Sequence, residues 1–115
     1  MEIGLVTYKT AKLAQDKGFI GNEDVGLYDD KEMYHPRMAH WLVGNKNLID
    51  APTQSLLQKW LREIHDNEVF VKSEYKNLKK IGFYYGGTKV YYSAPIFKTY
   101  ELALEKGLQE ALKLI

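Results

Sequence analysis

The sequence predicts an α+β domain: an antiparallel sheet of about five short strands with three helices, two of them packed on one face. Three observations lead there. Apolar residues recur at helical spacing in three separate stretches, and the period shortens to that of a strand over 68–75 and again over 80–97. No internal repeat or low-complexity linker divides the chain, and 115 residues fit one domain, 1–115. At this length about two-thirds of the unfolded surface can be buried, so a core is expected without disulfide or metal staples.

Each element has a local reason. The first helix is expected over about 8–17, with Thr7 as its cap, Gly18 in a left-handed conformation at its end, and Phe19 folding back onto the last turn. Its stripe of Ala11, Ala14 and Leu13 is small, so it leans on something else. In 25–36 the sequence reads as a short hairpin turning at Asp29-Asp30-Lys31-Glu32. A further strand is expected at Trp41–Val43, then a Gly-Asn-Lys-Asn turn and a short apolar run at Leu48-Ile49.

The second helix, over about 53–65, carries the strongest stripe: Leu56, Leu57, Trp60, Leu61 and Ile64. Asp50, Thr53 or Ser55 could each cap it, and Pro52 is tolerated there only within the first turn. "EVFVKSEY" is the next strand and "NLKK" a break. "KIGFYYGGTKVYYSAPIF" is expected to be a hairpin turning at Gly86-Gly87, with Ile81, Phe83 and Tyr85 on one face and Pro95 at an edge. Thr99 caps the last helix, whose stripe runs through Ala103, Leu104, Leu108, Ala111, Leu112 and Ile115. Gly107 lies beside that stripe and implies close approach to a sheet or helix.

Composition excludes several classes. There are no cysteines, so disulfides, thiolate metal sites and thiol nucleophiles are out. No apolar run nears the roughly 20 residues of a membrane span, and the N-terminal segment has no long apolar core behind basic residues, so a cytoplasmic chain with no membrane partner is expected. Nine tyrosines raise the aromatic share to 13%, which suits half-buried sheet positions where the ring packs and the hydroxyl reaches water.

The opening "TAKLAQDKGF", "APTQSLLQKWLREIHD" followed by "EVFV", and the closing "YELALEKGLQEALKLI" resemble, in that order, a group of small hypothetical proteins encoded in phages and prophage regions of gut bacteria. The resemblance covers under half of the chain. It implies a small intracellular domain that stands alone, and it transfers no catalytic residue.

No catalytic constellation is expected. His35, His40 and His65 have no zinc-ligand spacing, and His65 suits a helix end, where a partial positive charge offsets the dipole. Ser55, Ser73 and Ser93 sit in no strand–turn–helix elbow. "GFYYGG" lacks the helix and lysine–serine pair of a phosphate loop, and Asp29-Asp30 reads as a turn. The expectation is therefore a non-enzyme with no cofactor and no metal.

The informative signal is electrostatic. Residues 72–98 hold six lysines against the single acid Glu74, while 23–32 carry Glu23, Asp24, Asp29, Asp30 and Glu32 against Lys31. Opposite patches suit pairing with a protein partner or with a second copy, and this is the first functional expectation. The alternative is single-stranded nucleic acid, with Lys80, Tyr84, Lys89 and Tyr91 on one face of the 80–97 hairpin neutralising phosphates and stacking bases.

Overall fold

The computed structural model describes residues 4–21, 25–36, 48–93 and 96–115; the Trp41–Val43 strand, the turn after it, His40, Glu23, Asp24 and Pro95 lie outside the described residues. The chain divides into two compact units, Met1–Thr53 and Gln54–Ile115. Among the described residues there are three helices and five strands. The strands form two antiparallel sheets, of three and two strands, rather than the single sheet expected.

In the first unit, α1 (Tyr8–Asp16) begins where Thr7, in an extended conformation, accepts the Thr10 amide on its Oγ1 at 3.3 Å. It stops at Gly18, whose φ of +96° is left-handed, and the Phe19 amide then donates back to the Ala14 carbonyl at 3.0 Å with the Phe19 ring buried. Thr10, Ala11 and Ala14 form its buried face, small as expected.

Three short strands, β1 (Gly26–Tyr28), β2 (Tyr34–His35) and β3 (Ile49–Ala51), pair in the order β2-β1-β3. The hairpin turn falls where the sequence put it, and Asp29 organises it. One carboxylate oxygen accepts the Lys31 and Met33 amides at 2.9 and 3.0 Å, and the other meets His35 Nε2 at 2.8 Å. Tyr28 is the pin of this unit: its hydroxyl donates to the Val6 carbonyl, and its ring stands edge-on to Tyr8 and Tyr34.

In the second unit, α2 (Gln54–His65) buries Gln54, Leu57 and Leu61, while Ile64 is 65% exposed and so leaves the expected stripe. Ile64 keeps the spacing of Leu57 and Leu61 but stands in the last turn, one residue before the helix ends, while Gln54 takes up the same stripe at the helix start. The helix ends with Asp66 at φ +50° and the Asn67 amide donating to the Leu61 carbonyl at 3.0 Å.

Next, β4 (Val69–Lys76) and β5 (Lys79–Gly87) form one long hairpin whose turn is Asn77-Leu78, not Gly86-Gly87. Gly86 and Gly87 are strand residues paired with Phe70 and Val69. After β5, Ser93 and Phe97 lie against the outer edge of that strand, through mutual Ser93–Tyr85 bonds and paired Phe97–Phe83 amide bonds at 2.7–2.8 Å. That outer edge is thus partly occupied.

Last, α3 (Tyr100–Lys113) starts at Thr99, whose Oγ1 accepts the Leu102 amide at 3.1 Å. It buries Ala103, Leu104, Gly107, Leu108, Ala111 and Leu112, whereas Ile115 lies beyond the helix and is exposed. Gly107 is the close approach. A β-carbon there would stand 2.9 Å from Val69 Cγ1 and 3.0 Å from Tyr85 Cβ, so the helix backbone rests on the β4–β5 hairpin. Polar side chains fix the packing: Gln54 donates to the Glu101 carbonyl and Glu105 carboxylate, Gln58 to the Val69 carbonyl, and buried Asn67 to the Ala111 carbonyl.

Two outcomes follow from this packing. Gly107→Ala gains helix propensity worth about 1 kcal/mol but overpacks a contact where 1–3 kcal/mol is typical, so a net loss of about 1 kcal/mol is expected in urea unfolding. The Asp29 carboxyl titrates below its usual 3.8, chiefly through its His35 hydrogen bond and then the Met33 amide. A carboxyl depressed in the folded state stabilises above its unfolded pKa and loses that contribution as pH falls through the folded value. The β1–β2 turn should therefore loosen below about pH 4 in amide exchange, and Asp29→Asn should remove that acid dependence.

Candidate nucleic-acid interface

The hairpin register sorts the ribbon's side chains into two faces. Directly opposed residues share a face, so Val71 with Tyr85 and Ser73 with Phe83 lie on the side that α3 covers. On the other side lie Phe70 opposite Gly86, Lys72 opposite Tyr84, and Glu74 opposite Gly82. This second face keeps solvent contact: Lys72 is exposed, and Phe70 and Tyr84 are half-buried.

Glycine at position 86 makes room for an aromatic cluster. The Tyr92 ring lies where a Gly86 β-carbon would be, at 2.3–2.5 Å, and so crosses the strand backbone. Its centroid is 5.6 Å from Tyr84 and 5.9 Å from Phe70, and Lys72 Nζ stands 5.0 Å over the Phe70 ring. Tyr92 itself stays 65% exposed. The result is a shallow platform of three mutually tilted rings, Tyr92 standing at 77° to Tyr84 and 60° to Phe70, with a cation over one of them.

The four residues expected to act together are not brought to one place. Tyr84 is in the platform. Lys80 is not, because Ile81 is an unpaired bulge residue: Tyr75 pairs with Lys80 and Glu74 with Gly82. The extra residue reverses the alternation, and Lys80 Nζ comes to rest 5.1 Å over the Phe83 ring, on the covered side. Lys89 donates to the His65 carbonyl at 3.1 Å, where a cation offsets the C-terminal dipole of α2. Tyr91 is 94% exposed on the segment after β5.

Phe70, Lys72 and Tyr92 were absent from the expected set. Alternation within "VFVK" would have paired Phe70 and Lys72 on one face, but only the correct hairpin turn joins that face to Tyr84.

Beside the platform, Tyr85, Lys89, Tyr91, Ser93 and Glu110 line part of a cleft of about 300 Å³. Burial and the neighbouring Glu110 charge hold the Tyr85 phenol above its usual 10.0, so it stays a neutral donor. Glu110 is itself engaged by Lys106 and Lys113, each at 3.5 Å.

The described residues hold no cluster of three or more metal-capable side chains, and His35 is engaged with Asp29. No described helix is long and apolar enough to cross a membrane. No ion pair with a described residue occupies Lys72, Lys76, Lys79 or Lys80. No protein-family model matches the chain, and neither curated proteins nor solved structures yield a match.

The turn itself is unusual. A two-residue hairpin turn of type I′ needs φ > 0 at both central positions, which favours Asn-Gly. Here Asn77 has φ +53° and Leu78 φ +66°. A leucine β-carbon in this region costs about 1–2 kcal/mol, offset in part by the greater unfolded entropy of glycine. Leu78→Gly should accordingly raise stability by about 0.5–1 kcal/mol, read as an increased denaturation midpoint at unchanged slope.

Proposed function

We propose that this chain is a non-enzymatic binding module that takes single-stranded nucleic acid on the open face of the β4–β5 ribbon. The observation that carries the reading is the Phe70–Tyr84–Tyr92 platform with Lys72 over it. Ring faces stack on any base, and lysines that no described acid engages in an ion pair are available to phosphates. In this reading α2 and α3 both pack on the far face, which leaves the platform for the ligand. A cytoplasmic setting and the phage or prophage character of the proteins it resembles belong to the same proposal.

Binding of a protein, or of a second copy, is the other reading. Leu102 and Leu114 of the last helical segment are 55% and 58% exposed, which favours an apolar contact there. The charge pairing expected between acidic and basic patches is weaker support, since both Asp29 carboxylate oxygens are already used within their own turn.

Fluorescence anisotropy with a labelled oligonucleotide separates the two. Salt-sensitive binding is expected, with a log–log slope of about −2 to −3 for three or four neutralised phosphates. Phe70→Ala and Tyr84→Ala should each weaken it by about tenfold, in the range of one lost base stack. Absence of binding at low salt, together with a dimer in light scattering, would transfer the assignment to self-association.

A further inference from the structure

Leu78 has a position that folding does not explain. It is 99% exposed, so it contributes no core contact, and it holds a left-handed conformation that glycine would adopt without strain. Strain without a packing return points to a partner. Its surroundings repeat the theme: every residue from 75 to 81 is exposed, with Tyr75 at 58% and Ile81 at 49%. Lys76, Lys79 and Lys80 stand among them and meet no described acid in an ion pair. The tip is thus an apolar point ringed by cations.

The matching surface is anionic outside and apolar within. A base-paired duplex end has this character, with phosphates flanking stacked bases, and narrow protein elements enter such stacks by inserting an apolar wedge. A membrane surface is anionic too, but it would hold all the charges at one depth. Here the cations continue down the ribbon, with the single acid Glu74 between Lys72 and Lys76. Lys72 lies four residues from Lys76, about 13 Å at strand rise, beside the aromatic platform. Charge spaced along an arm follows a backbone rather than a plane.

We propose that the ribbon recognises the junction where a duplex opens into a single strand. Leu78 is set against the last base pair, Lys76, Lys79 and Lys80 contact the flanking phosphates, and the single strand runs back over Phe70, Tyr84 and Tyr92. This rests on the open-face reading above and adds the substrate class to it.

The test compares a single strand, a blunt duplex, and a duplex with a single-stranded tail, alongside vesicles containing anionic lipid. The tailed duplex should bind about tenfold more tightly than the single strand, the scale of one good additional apolar or stacking contact. A fluorescent adenine analogue at the last base pair should brighten as that pair unstacks. Leu78→Gly should reduce the tailed duplex to single-strand affinity and abolish the brightening, and Leu78→Met should keep both. Single-strand binding without added affinity from the duplex overturns the wedge and leaves the open-face reading intact. Failure of every nucleic acid probe overturns both, and vesicle binding that is lost in Leu78→Gly reassigns the tip to a lipid surface.

Discussion

The second unit is organised by one missing methyl group. Because Gly107 has no β-carbon, the backbone of α3 settles directly onto Val69 and Tyr85, and Leu104, Leu108, Ala111 and Leu112 come down around that contact. Burial of each leucine is worth roughly 1.5–3 kcal/mol, so the seat at Gly107 determines which side of the hairpin becomes core. The opposite side then carries Phe70, Tyr84 and Tyr92, which α3 does not cover.

Apolar burial alone would leave α2 and α3 free to slide along one another. Three amides remove that freedom. Gln54 binds both a carbonyl and a carboxylate of α3, Gln58 binds the first residue of β4, and Asn67, 1% exposed, reaches the far end of α3. Hydrogen bonds of this kind add modest net stability, but a misplaced partner leaves a buried polar group unsatisfied, which is costly. They specify register more than they supply strength.

Local chemistry made much of this legible in the sequence. Thr7, Gly18 and Thr99 act through bonds to residues within a turn, and all three behave as their neighbours predict. The Asp29 turn is local as well. The failures are of two kinds. The break expected at "NLKK" is the Asn77-Leu78 turn, but it lacks the glycine that announces a tight hairpin, and Gly86-Gly87 displays one, so the pattern assigns the hairpin to the wrong pair of strands; the glycines serve instead to admit Tyr92 and the Glu68 carbonyl. A single bulge at Ile81 then separated Lys80 from Tyr84, which no count of alternate positions would reveal. The division of five strands into two sheets likewise depends on pairings distant in sequence, which a residue pattern does not encode.

The segment that leaves β5 has a bearing on solubility. A projecting two-stranded arm offers its bare amides to any other arm of the same kind, the first step of fibre growth. Ser93 and Phe97 occupy the amides of Tyr85 and Phe83 on one flank, while lysines at 72, 76, 79 and 80 give the arm a common charge that repels its own copies. Both features oppose the pairing of one such arm with the edge of another.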